Sequence, residues 1–119
     1  MPLIRIKRHF DFLEMRDAPF KAFTKTFVLQ MRPNEKNETR VGFTVSKKID
    51  KRAVVRNKLR RQMREIVRLS PTLLEKYPSH DLILIARSDA LECSYARLAD
   101  DFEYLLTHFH KMDDAKNSN

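Results

Sequence analysis

The sequence predicts an α+β domain, with about four strands in one sheet joined by an N-terminal, a basic central and a C-terminal helix. Three observations point there. Residues 26–31 and 39–46 alternate apolar with polar side chains, as half-buried strands do, while 82–86 is a short continuous apolar run. Residues 56–68, and those from 94 onward, instead repeat at three- and four-residue steps. A chain of 119 residues that is 42% hydrophobic has the size of one compact domain. Residues 1–110 are expected to form it, and 111–119 to be a flexible polar tail.

Taken in order, residues 7–16 predict a short helix with Phe12 and Met15 on one side, ending before Pro19. A weak strand is expected at 20–24. The next two strands are separated by the polar turn at 32–38, which predicts an antiparallel hairpin. Alternation gives that hairpin unlike faces. Phe27, Leu29, Met31, Val41, Phe43 and Val45 form the apolar face. Thr26, Val28, Gln30, Gly42, Thr44 and Ser46 form a shallow face of small or polar groups, either plainly solvated or open to a ligand. Gly42 is the chain's one glycine, and its place in a strand points to a bulge or a close backbone approach.

Residues 56–68 contain neither Gly nor Pro and stop at Ser70-Pro71, so they read as one helix. On a wheel of roughly 100° per residue, Val55, Leu59, Met63 and Ile66 share a quadrant. Arg56, Asn57, Arg60, Arg61, Arg64 and Arg68 spread over the opposite side. One stripe suits a core, and the other presents guanidinium groups suited to phosphate. A loop with one helical turn is expected at 71–80, then a buried strand at 82–86. In the last helix Ser94 is the expected N-cap, and Tyr95, Leu98, Phe102, Leu105, Leu106 and Phe109 form the covering stripe.

Charge is concentrated. Residues 47–68 hold ten Lys and Arg against Asp50 and Glu65, a local excess equal to the formal net +8 of the whole chain. Residues 1–68 carry 19 basic and 7 acidic groups, and 69–119 carry 5 and 9. A basic face on a more acidic scaffold points to a polyanionic partner. No apolar run approaches the roughly 20 residues that span a bilayer, and residues 1–9 lack the apolar stretch of a secretory signal. A cytoplasmic protein without a membrane partner is therefore expected. Cys93 is the lone cysteine, so no internal disulfide or cysteine metal cage is expected.

The strand Val41-Gly42-Phe43-Thr44-Val45-Ser46-Lys47-Lys48, followed by Arg56-Asn57-Lys58-Leu59-Arg60-Arg61-Gln62-Met63-Arg64, resembles the bacterial ribonuclease P protein subunit. Arg52-Ala53 in the connection, Ile83-Leu84-Ile85-Ala86-Arg87 later and Asp11-Phe12 earlier extend that resemblance over most of residues 7–110. It implies a two-layer α+β sandwich with a mixed sheet, in the order αβββαβα, whose basic helix enters by a left-handed crossover. It also implies a protein that binds the catalytic RNA and the 5′ leader of precursor tRNA, promoting endonucleolytic removal of the leader. Cleavage would belong to the RNA and its magnesium ions, with no catalytic residue, cofactor or metal held by this chain and no protein partner required.

The positions carried over are RNA-facing Lys47, Lys48, Arg56, Asn57, Arg60, Arg61 and Arg64, with Arg52 and Arg68 completing the basic set. The implied leader cleft holds Phe12, Val28, Thr44 and Ser46. Arg16 and Gln30 stand there where the family often has aromatics, so polar or charge contacts would replace part of the stacking.

Two other readings compete. A ribosomal or other non-catalytic RNA-binding protein would use the same helix, but would not need the open face. A protein-only nuclease would need metal ligands from His108, His110, Asp113 and Asp114. The two histidines lie about 200° apart around a helix, and Asp100 and Asp101 also point to different azimuths, so a solvated helix face is the expected reading.

Overall fold

The computed structural model describes residues 3–5, 20–34, 38–70, 73 and 77–117, with side chains described over 21–34, 38–70, 73 and 77–108. Five strands form one sheet: β1 (Leu3–Arg5), β2 (Phe20–Phe23), β3 (Phe27–Pro33), β4 (Thr39–Thr44) and β5 (His80–Ala86). Their order across the sheet is β1-β4-β5-β3-β2. Helix α1 (Ala53–Arg68) links β4 to β5, and α2 (Tyr95–Asn117) follows a 3₁₀ turn at Ser88–Glu92. The expected N-terminal helix, with Phe12 and Arg16, lies outside the described residues.

The expected hairpin is corrected. β5 lies between β3 and β4, antiparallel to the first and parallel to the second. The reason is burial: an apolar run such as Leu82-Ile83-Leu84 is better shielded between two neighbouring strands than at a sheet edge. Leu82, Ile83 and Leu84 are all buried. Pro33 of β3 and Thr39 of β4 therefore lie on strands two spacings apart, roughly 10 Å. β1 is a strand the sequence reading missed, because three residues are too few to show a period. It pairs parallel with β4. Register runs without interruption from Arg40–Asp81 to Thr44–Ile85, so Gly42 marks no bulge.

One face of the sheet is the core. Phe27, Leu29, Met31, Val41, Val45, Leu82, Leu84 and Ala86 pack there against the two helices. α1 contributes Leu59, Met63, Ile66 and Val67, and α2 contributes Leu98, Phe102, Leu105 and Leu106. α1 begins three residues before the expected 56, and Val55 is half-buried at the margin of its stripe. Ser94 caps α2 as expected, its Oγ accepting from the Arg97 N–H at 3.2 Å. Tyr95 departs from the expected stripe and is 41% exposed.

Thr26 also departs from its expected face. It precedes β3 rather than lying within it, so strict alternation does not reach it. The residue is buried and its hydroxyl donates to Asp101 Oδ2 at 2.5 Å, tying the sheet to α2. Tyr77 makes a second tie, donating to the Leu106 carbonyl at 2.9 Å while its own carbonyl accepts from Thr39 Oγ1 at 2.8 Å.

On the opposite face Asp81 joins three strands. Arg40 of β4 donates to both of its carboxylate oxygens, at 2.7 and 2.6 Å. Arg32 of β3 reaches Oδ2 at 3.1 and 3.2 Å, and Asn34 Nδ2 reaches Oδ1 at 2.7 Å. Burial alone would push this carboxyl up. The hydrogen bonds from Arg40 and Asn34, the Arg40 charge and the Arg32 hydrogen bond outweigh burial and hold it below the ordinary value of 3.8.

A carboxylate whose folded pKa is depressed stabilises the fold above its unfolded pKa and loses that contribution as pH falls through the folded value. The wild type is therefore expected to lose stability in acid below about 3.8, and Asp81→Asn to flatten that part of the profile. Asp81→Ala removes the carboxylate that Arg40, Arg32 and Asn34 share and should cost about 3–5 kcal/mol. Urea unfolding across pH measures both effects.

Candidate nucleic-acid interface

The first surface is the outward side of α1. No side chain caps its start; instead the Asp50 carboxylate accepts from the Arg52 N–H at 2.8 Å and pairs with the Arg52 guanidinium at 2.9 Å. The side-chain and then the backbone hydrogen bonds of Arg52 hold Asp50 at about 2. Lys47, Lys48, Arg52, Asn57, Arg61, Arg64 and Arg68 are exposed. They occupy the entry to α1 and its face away from Leu59 and Met63.

The nine expected RNA-facing residues are not equivalent. Arg56 is half-buried and donates to the Asp50 and Lys51 carbonyls at 3.0 and 2.7 Å, bracing the turn that leads into the helix. Arg60 is half-buried too. It donates to Asn57 Oδ1 at 2.8 Å and to the Val45 carbonyl at 3.2 Å, so it fastens α1 to the end of β4. Placing Arg60 wholly on the solvent side is thus corrected: the wheel gives its azimuth, but a long side chain can reach sideways to a carbonyl. Arg68 pairs with Glu65 at 2.8 Å, one turn back.

Lys47, Lys48, Arg61 and Arg64 have no hydrogen bond or ion pair among the described residues. The exposed side chains of Lys51 and Lys58 likewise make none among the described residues. The sequence reading left those two lysines out of the site, although the local charge count already included them.

The second surface is the sheet face opposite the helices. Strand register resolves it into transverse rows. Phe23, Val28, Ile85 and Thr44 face one another across four strands. Lys21, Gln30, Ile83 and Gly42 form the next row, and Arg32, Asp81 and Arg40 the third. Val28, Gln30 and Thr44, expected in a cleft, therefore share one surface, where each is half-buried. Ser46 lies just past β4 and is exposed. Phe12 and Arg16 lie outside the described residues. Asp81, the one acid in these rows, is bonded to both arginines.

Phe23 was not expected here. Its ring is 71% exposed at the end of the Val28 row. Alternation against buried Ala22 is the signal that could have found it.

Among the described residues no group of three His, Cys, Asp or Glu is placed to hold a metal ion. Asp101 is committed to Thr26 and Arg97, and His108 stacks on Tyr104. Cys93 is a free, half-buried thiol. No helix among the described residues is long and apolar enough to cross a membrane.

A family model described as Ribonuclease P matches residues 2–110. A ribonuclease P protein component of Idiomarina loihiensis is 42% identical over 89 residues, covering 75% of this chain and 69% of that protein. One from Citrifermentans bemidjiense is 40% identical over 86 residues, covering 72% and 71%. Among solved structures, the RNase P protein of Staphylococcus aureus superposes with a TM-score of 0.74 at 30% identity, over 87% of this chain and 92% of that one. The Thermotoga maritima RNase P protein gives 0.76 at 26% identity, over 87% and 96%.

The division within α1 yields a contrast between neighbours. Arg61→Ala and Arg64→Ala should leave thermal unfolding unchanged and each lower the slope of log K against log salt for RNA by about 1. Arg60→Ala should in addition cost roughly 1 kcal/mol of folding stability, because the Val45 carbonyl loses its donor. Melting curves beside salt-dependent RNA binding separate the two classes. Equal destabilisation by all three substitutions would show that the arginines share one structural role.

Proposed function

The chain belongs to the ribonuclease P protein family, and on that premise we propose how its two surfaces divide the work. Its function is that of the family, the protein component of a ribonuclease that matures the 5′ end of tRNA, and its partner is RNA. In the proposed division, the outward side of α1, with Lys47 and Lys48 before it, docks the catalytic RNA. The open sheet face holds the 5′ leader of precursor tRNA, with Val28, Gln30, Thr44 and Ser46 as floor, and Phe12 and Arg16, which lie outside the described residues, contributing to leader binding.

The observation that carries this reading is the separation of unpaired cations on α1 from a half-buried, small-residue sheet face on the other side of the core. One surface suits phosphates of a structured RNA, since guanidinium groups pair bidentately with them. The other suits a single strand, whose bases need a floor and stacking partners rather than a groove. A non-catalytic RNA-binding protein, the competing reading, is disfavoured by the family match.

We assign cleavage to the RNA subunit, where bound magnesium ions would supply Lewis-acid chemistry. The described residues of this chain offer no ligand set for such an ion. What the chain's own residues do is neutralise phosphates, fix the docked RNA and bind the leader. The complex is expected in the cytoplasm without a further protein subunit.

Reconstitution of the full chain with a bacterial ribonuclease P RNA tests this. Precursor tRNA should be cut at the leader junction by the mixture and left intact by repurified protein alone. Cutting by the protein fraction would overturn the assignment of chemistry to RNA. Phe12→Ala should weaken holoenzyme binding of precursor tRNA by roughly 1 to 3 kcal/mol, the worth of one stacked base, and leave mature tRNA unaffected. Equal loss for both RNAs would place Phe12 in the core and remove it from the cleft.

A further inference from the structure

The row that begins at Thr44 does not end at Val28. It continues through the register pair Val28–Phe23 onto β2, the edge strand. Three strand spacings put Phe23 roughly 14 Å from Thr44. There the surface changes character. The Arg87 guanidinium lies 5.5 Å from the Phe23 ring centroid and is fixed by donation to the Thr24 carbonyl at 2.9 Å.

Around the edge, Lys21, Ala22, Phe23, Tyr104 and His108 line a shallow depression of about 160 Å³. Tyr104 is 62% exposed and stacks with His108, ring centroids 6.4 Å apart and planes 9° from parallel. Phe23, Tyr104 and His108 thus form an exposed aromatic patch reaching from the open face to α2. None of its rings serves the core.

Building on the leader-cleft reading, we propose that this patch is a second leader site that stacks unpaired nucleotides of the 5′ leader lying beyond those in the Val28–Thr44 row. Three observations select RNA as the occupant. Cations sit on the sheet side of the patch: Lys21 and Arg87, with Lys25 exposed in the adjoining turn. The row that leads to it is continuous with the proposed cleft. The edge strand itself carries Lys21, a charge that opposes pairing with a strand from another protein copy.

Exposed aromatic rings beside fixed cations are how single strands are held without sequence readout. Phe23 offers a ring face to a base while Arg87 meets the adjacent phosphate. Tyr104 extends its stack with His108 by one further base. Exposed Asp100 lies one turn before Tyr104 on α2, so the phosphates must run on the Lys21 and Arg87 side.

The test is holoenzyme affinity for three substrates: mature tRNA, precursor with a leader of about four nucleotides and precursor with one of about ten, lengths within the usual single-strand site range. Phe23→Ala and Tyr104→Ala should each weaken the long-leader precursor about five- to thirty-fold. They should leave the other two substrates and the melting curve unchanged. Phe23→Tyr and Tyr104→Phe should restore binding.

An equal loss for short and long leaders, or no loss, overturns the second site while leaving the cleft reading intact. Self-association of the wild type that Phe23→Ala abolishes, together with no leader-length effect, assigns the patch to a second copy and also overturns it. Wild-type holoenzyme that does not prefer precursor over mature tRNA overturns both readings.

Discussion

The fold turns on one carboxylate. Asp81 sits at the entry to the central strand and accepts hydrogen bonds from Arg40 on one neighbouring strand and Arg32 on the other, with Asn34 closing the loop between them. β3 and β4 are thereby held on either side of β5 in a fixed register. A slip of β5 by one residue would turn its side chains to the opposite face, taking Leu82 and Leu84 out of the core and turning Asp81 into it. The charge cluster costs desolvation, and hydrophobic replacements of such clusters are often as stable. Its value here is registry, since an apolar substitute would hold several registers about equally.

That registry explains why two surfaces on one small core can remain distinct. α1 crosses from β4 to β5 and buries Leu59, Met63, Ile66 and Val67, which directs the unpaired Arg61 and Arg64 outward. Its orientation is fixed by two arginines of a different kind. Arg56 and Arg60 spend donors on backbone carbonyls of the β4–α1 connection and the end of β4, while keeping part of each guanidinium near the surface. Binding groups anchored in this way lose less side-chain entropy when they meet a phosphate than a free lysine does. The basic face is therefore partly preorganised and partly adaptable.

Local patterns revealed the elements and their faces but not their neighbours. The stripe of α1, the cap at Ser94 and the buried strand near Leu82 each arise within a dozen residues, where periodicity is informative. Insertion of β5 between β3 and β4 joins residues far apart in sequence, Asp81 and Arg40 lying 41 residues apart, and no periodicity reports that. Thr26 faced inward because a bend interrupts alternation. Arg60 bonded to a carbonyl that a wheel does not include, and β1 was too short to register. The shared face of Val28, Gln30 and Thr44 was legible because these residues alternate against core residues. Phe23 escaped notice because β2 was the weakest of the strands read from the sequence.

The central claim is that the catalytic RNA and the leader meet opposite sides of this core. Photo-cross-linking in the assembled complex tests it most directly, with a photoreactive nucleotide placed either in the leader of precursor tRNA or throughout the catalytic RNA. The leader should cross-link to peptides from β3 and β4, and the catalytic RNA to peptides from α1 and the lysines before it. Leader cross-links confined to α1, with none on the sheet, would contradict the account.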